Sequence, residues 1–101
     1  MPLIQVCEVD KLTPGEAVQV PTSPPIAVFN VDGEFFATAD TCSHDDSSLA
    51  DGYIDGDQVE CAWHFAKFCL RTGRVLTPPA TRDIATYEVR VQDDVVYVMV
   101  E

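Results

Sequence analysis

The chain has 101 residues, 47% of them apolar, with 17 acidic against 6 basic side chains and a formal net charge of −11. That length suits one domain, and the apolar share fits a globular protein rather than a disordered one. The acidic balance argues against nucleic acid and anionic membrane surfaces as partners and favours a basic patch on another protein.

Met1 to Glu8 carries no basic region and no long apolar run, so no signal peptide is expected. No stretch reaches the roughly 20 apolar residues that cross a bilayer, and a soluble cytoplasmic protein is expected. In a reducing compartment, four cysteines point to metal ligands more than to a disulfide framework.

In chain order, Leu3 to Val9 is predicted as a first strand. Leu12-Thr13-Pro14-Gly15 follows as a turn, then Glu16 to Val20 as a second strand. Ile26 to Val31 and Glu34 to Ala39 flank Asp32-Gly33, a strong signal for a hairpin with a type I′ turn. From Asp40 to about Ala66 the chain turns rich in Asp, Ser, Gly, His and Cys, with brief strand-like pieces at Gly52–Ile54 and Gln58–Glu60. Thr86 to Val91 and Val95 to Val100, around Gln92-Asp93-Asp94, form a second hairpin. No 12-residue window holds a 3.6-residue apolar period, so long helices are not expected. The pattern is all-β, a sandwich or barrel with a loop-rich insert, and such an insert is where a scaffold usually carries its chemistry.

Both histidines of the chain sit beside a cysteine inside that insert, as Cys42-Ser43-His44 and Cys61-Ala62-Trp63-His64. Sixteen residues, Asp45 to Glu60, separate the pairs. Two thiolates and two imidazoles make a four-ligand set that suits zinc or an iron–sulfur cluster. Isolated, each residue would read as a buried thiol or a surface imidazole; matched spacing around every histidine speaks against that. Zinc sites usually pair like ligands, Cys with Cys and His with His. One Cys and one His from each loop suits a two-iron cluster instead, and structural zinc stays as the alternative. Cys7 and Cys69 fall in predicted strands and read as buried structural thiols.

The spacing Cys-x-His, sixteen residues, Cys-x2-His resembles the Rieske motif. Cys61 to Gly73 is similar to the second ligand loop and following hairpin of ferredoxins serving aromatic-ring dioxygenases, notably the biphenyl and toluene systems. Leu76-Thr77-Pro78-Pro79-Ala80 resembles that family's proline-containing third loop. Ala62 stands where a proline is frequent, and Phe65 where a glycine often follows the second histidine.

The resemblance implies one Rieske domain over residues 1–101, with a β-sandwich or barrel base and a cluster-binding subdomain at about 40–80. It implies one 2Fe–2S cluster, with Cys42 and Cys61 on the inner iron and His44 and His64 on the outer. Two ferric ions, two sulfides and two thiolates sum to zero charge, and neutral imidazoles raise the potential above that of all-thiolate clusters. Ser47 and Trp63 stand where another branch places a disulfide, and Ala66 and Phe68 where it places hydroxyl donors. Those absences imply the low end of the family's potential span.

The function implied is one-electron transfer from an NADH-dependent flavoprotein reductase to a terminal Rieske oxygenase in aromatic hydrocarbon catabolism, with the chain as a monomer. A small Rieske-like subunit of a nitrite reductase is the related alternative. An oxygenase itself would need two further histidines for a mononuclear iron, and both are committed. Asp45, Asp46, Asp51, Asp55, Asp57 and Glu60 all fall between the ligand pairs, and are expected to ring the imidazoles and steer docking.

Overall fold

The computed structural model describes residues 3–22, 24–41, 48–61, 66–77 and 83–100. These form ten strands and two 3-10 turns, with no α-helix among the described residues. No helix among them is long and apolar enough to cross a membrane.

Three antiparallel sheets arise. The first orders β1 (Leu3–Glu8), β10 (Val95–Met99) and β9 (Val89–Gln92). The second orders β2 (Ala17–Val20), β3 (Ile26–Val31), β4 (Glu34–Ala39) and β8 (Thr86–Tyr87). The third orders β5 (Tyr53–Asp55), β6 (Gln58–Glu60) and β7 (Lys67–Cys69). The 3-10 turns cover Val9–Lys11 and Leu49–Asp51.

The β3–β4 hairpin lies where the sequence predicts it. Asp32 and Gly33 take φ of 51° and 91°, the positive pair that a two-residue type I′ loop needs. Buried Asn30 fixes this corner: its Oδ1 accepts from the Gly33 amide at 2.8 Å, and its Nδ2 donates to the Leu12 carbonyl at 2.7 Å. Asp93 and Asp94, at φ of 51° and 62°, turn the second hairpin in the same way.

One strand organises the core. Ile26 to Asn30 of β3 are all buried, and their side chains alternate between two apolar clusters. Ile26 and Val28 join Leu12, Val20, Ala37, Val96 and Val98 between the first and second sheets. Ala27 and Phe29 point the other way, into a cluster with Leu49, Val59, Cys61, Ala66, Phe68, Leu70 and Ile84. The loop-rich insert is therefore mounted on the back face of β3 by apolar burial.

The predicted strand from Thr86 to Val91 is broken at Glu88. Its first part pairs with β4, Tyr87 opposite Ala37, while its second pairs with β10, Val89 opposite Val98. One apolar run thus serves two sheets. The first strand also ends earlier than predicted, because Val9–Lys11 winds into a 3-10 turn whose Val9 amide donates to the Asp94 carbonyl at 2.9 Å.

Candidate metal centre

Of the four sequence-predicted ligands, Cys61 is described; Cys42, His44 and His64 lie outside the described residues. So do Asp45, Asp46, Ser47, Trp63, Phe65 and Pro78–Ala80. What the structure builds is the platform from which those segments leave.

The first ligand segment leaves and returns through an antiparallel bridge between Thr41 and Ser48. Beside it, Asp40 is 1% exposed. Its Oδ1 accepts from the Ser48 hydroxyl at 2.8 Å and the Ala50 amide at 3.0 Å, and its Oδ2 from the Gln19 side-chain amide at 2.6 Å. The 3-10 turn Leu49–Asp51 then drops Leu49 into the apolar cluster.

The second segment is closed by its own backbone: the Cys61 amide donates to the Ala66 carbonyl at 2.7 Å, next to the Glu60–Lys67 pair of β6 and β7. The third is tied to the second through Lys67. The Lys67 amide donates to the Thr77 hydroxyl at 2.9 Å, and its carbonyl accepts from the Leu76 amide at 2.8 Å. On the return side, the Asp83 carboxylate accepts from the Val75 amide at 2.8 Å, and the Ile84 amide donates to the Gly73 carbonyl at 2.8 Å.

Two glycines permit this convergence. A Cβ on Gly52 would fall far inside contact distance of the Glu60 carbonyl oxygen, so the chain after the first segment passes directly against the residue before Cys61. A Cβ on Gly73, at φ +77°, would collide with the Ile84 carbonyl oxygen. The roots of the second and third segments are thus hydrogen-bonded neighbours, with the return of the first packed against them.

Cys61 suits a metal thiolate. It is wholly buried among Leu49, Val59, Ala66 and Phe68, so a soft ligand here is shielded from water. Ala66 and Phe68, where the sequence reading noted missing hydroxyls, are also fully buried in that cluster. A donor set of one Cys and one His from each of the two predicted segments would fit a two-iron cluster.

The other thiols differ from expectation. Cys7 and Cys69 are half-buried rather than core residues. Burial, with Asp10 and Glu8 nearby, pushes the Cys7 thiol above the usual range. The Thr72 hydroxyl, hydrogen-bonded to Cys69, pulls that thiol down.

The expected ring of acids is also redistributed. Asp55 ends β5 and Asp57 lies in the turn before β6, at the opposite end of that hairpin from Cys61, about 10–13 Å away at strand rise. Asp57 is moreover engaged by Arg71 Nε at 3.2 Å. Arg71 also donates to both Glu34 oxygens at 3.2 Å and sits 5.0 Å from the Phe36 ring centroid, so it clasps the insert to the β3–β4 hairpin. Glu60, the last residue of β6, directly precedes Cys61 and is half-buried.

Sequence reasoning missed Asp40, Gln19, Gly52 and Thr77. Gly52 followed by a strand-like triplet is a weak signal of close approach; the others carry none.

A family model described as a Rieske [2Fe-2S] domain matches residues 3–88. The chain is 49% identical over 94 residues to the biphenyl dioxygenase ferredoxin subunit of Pseudomonas sp. (strain KKS102), covering 91% of this chain and 86% of that protein. It is 47% identical over 102 residues to the ferredoxin component of biphenyl 2,3-dioxygenase from Rhodococcus jostii (strain RHA1), covering 100% and 95%. Among solved structures, a complex of reduced oxygenase and oxidized ferredoxin in carbazole 1,9a-dioxygenase contains a chain that superposes with a TM-score of 0.91 at 37% identity, covering 95% of this chain and 91% of that one. A nitrite reductase small subunit from Mycobacterium tuberculosis superposes with a TM-score of 0.87 at 22% identity, covering 96% and 93%, a likeness of fold alone.

Proposed function

The chain belongs to the Rieske [2Fe-2S] domain family, and from that membership we propose that it carries electrons between an NADH-dependent flavoprotein reductase and the terminal Rieske oxygenase of an aromatic-ring dioxygenase system. Its cofactor is one Rieske-type 2Fe–2S cluster, and it is an electron carrier rather than an enzyme. The observation that carries the reading is near-half identity to dioxygenase ferredoxin components along almost the whole chain. The nitrite reductase reading has only likeness of fold behind it, and structural zinc does not agree with the family.

The four ligands are Cys42, His44, Cys61 and His64, held within one domain whose cluster-binding part spans about residues 40–80. When bound, the cluster supplies one reversible electron at a potential set by its imidazole ligands and surroundings. The chain's own residues do the rest. Cys61 is held in an apolar pocket that keeps water from its sulfur. The Thr41–Ser48 bridge, the Cys61–Ala66 hydrogen bond and the Lys67–Thr77 contact fix the three roots. The net charge of −11 steers the molecule toward basic partner surfaces. It works in the cytoplasm, as a monomer between encounters.

The test is spectroscopic and kinetic. Purified protein should be brown-red, give a Rieske EPR signal on reduction, and be reduced by NADH through a flavoprotein reductase of an aromatic dioxygenase system. His44→Cys and His64→Cys should abolish the signal, while Cys7→Ser and Cys69→Ser keep it. An unchanged g-tensor in either histidine variant refutes the ligand assignment, and a colourless zinc protein refutes the function.

A further inference from the structure

Asp40 is the one buried carboxylate among the described residues, two positions ahead of Cys42. Burying a carboxylate is costly unless it is fully hydrogen-bonded. Here each oxygen is met by donors: the Ser48 hydroxyl at 2.8 Å and the Ala50 amide at 3.0 Å on one, the Gln19 amide at 2.6 Å on the other. The Asp40 main chain adds two more bonds, its carbonyl taking the Leu49 amide at 2.7 Å and its amide reaching the Pro25 carbonyl at 3.0 Å. Three of these five bonds cross from residue 40 to residues 48–50, the far side of the first ligand segment. The other two anchor Asp40 to β2 and to the approach to β3. The second ligand segment has four residues between its paired ends and is closed by the Cys61–Ala66 backbone bond; the first has six between Thr41 and Ser48 and is closed by the Asp40 side chain as well as by backbone.

We propose that Asp40 is a positioning residue, a carboxylate clasp that fixes the two ends of the first ligand segment so that Cys42 and His44 are preset for the cluster. The inference rests on Cys42 and His44 being ligands. Asparagine at position 40 keeps an oxygen for Ser48 and Ala50, and Gln19 can turn its amide to accept from the new NH₂. Alanine removes all three side-chain bonds.

The test uses the holoprotein and three variants, Asp40→Asn, Asp40→Ala and Ser48→Ala. Cluster loss to a chelator is followed by visible bleaching, g-value line widths by EPR of the reduced protein, and folding by circular dichroism. Asp40→Ala should bleach about tenfold faster, equivalent to ~1.4 kcal/mol on the barrier, with broadened g-values. Ser48→Ala should bleach about threefold faster, as loss of one ordinary hydrogen bond allows. Asp40→Asn should restore both the wild-type rate and the line widths.

Wild-type bleaching and line widths in Asp40→Ala overturn the clasp, whatever happens to the melting temperature. Should Asp40→Ala not fold, wild-type behaviour in Ser48→Ala overturns it equally. Asp40→Asn bleaching as fast as Asp40→Ala places the effect in the charge and also overturns it. A wild-type protein with no Rieske signal defeats the ligand reading instead, so the two failures are distinct.

Discussion

Gly52→Ala separates crowding from backbone strain at the metal centre. Gly52 has φ −82° and ψ −170°, a conformation open to alanine, so the substitution carries no torsional penalty. The obstacle is space: the new methyl meets the Glu60 carbonyl oxygen and lies 3.1 Å from that of Leu49, both backbone atoms in hydrogen-bonded structure. Neither can swing aside as a side chain would. Relief requires the return of the first ligand segment to move away from β6, at the typical overpacking cost of ~1–3 kcal/mol. At 4–8 °C per kcal/mol for a domain this small, a ~2 kcal/mol loss lowers the melting temperature by roughly 8–16 °C. Gly33→Ala is the matched control. It has open space but φ +91°, so it carries torsional strain of ~1–2 kcal/mol at the β3–β4 turn, away from the Gly52–Glu60 contact. Thermal melts and chelator-driven bleaching of both holoproteins decide the matter. Both variants should melt lower, but only Gly52→Ala should lose its cluster faster. Wild-type melting and bleaching in Gly52→Ala would refute the close packing of the two roots.

Alkylation should distinguish the two outer thiols: with its pKa drawn down by the Thr72 hydroxyl, Cys69 exposes more thiolate near neutral pH than Cys7, whose pKa is raised. Iodoacetamide mapping across a pH series should show Cys69 modified first, and Thr72→Val should shift its profile to higher pH; Cys7 reacting first refutes the assignment. Voltammetry should place the midpoint near −150 mV, the foot of the family span. Ala66→Ser should raise it by about 40 mV if its hydroxyl gives the reduced site ~1 kcal/mol, at about 59 mV per tenfold for one electron; a wild-type midpoint above about 0 mV defeats the missing-donor reasoning.

The legible parts of this fold were local. Asp32-Gly33 between two apolar runs announces its hairpin because the turn's φ demands and the side-chain alternation are written in adjacent residues. The Rieske spacing of Cys and His is legible for the same reason, each pair being short. What the sequence hides is long-range. Ile26 to Asn30 reads as a strand, but nothing local says that its two faces belong to two different cores. Thr86 to Val91 reads as one strand, and the change of sheet at Glu88 depends on partners near residues 37 and 98. Asp40 looks like one more acid in an acidic stretch. Its burial depends on Gln19, 21 residues upstream, and on Ser48, eight residues downstream.

The same long-range placement changes the electrostatic reading of docking. Counting acids between the ligand pairs suggests a ring of six, but a strand hairpin carries its turn away from its open end. Asp55 and Asp57 therefore travel with the β5–β6 turn, and Arg71 shares its single charge between Asp57 and Glu34 there. These exposed pairs contribute little to stability, about 0–1 kcal/mol each, yet the one guanidinium offsets one of the two carboxylate charges there. Asp40 is removed from the partner-facing acids, its carboxylate spent inside the protein on three donors. Steering then comes from the field of the whole molecule more than from a local ring, since a net charge of −11 is spread over a body with a 12.5 Å radius of gyration. With a Debye length near 8 Å at physiological salt, most of that charge is screened from an approaching partner until close range. Orientation must then be settled by what lies at the rim itself, with Glu60 the described acid directly before Cys61 in the chain.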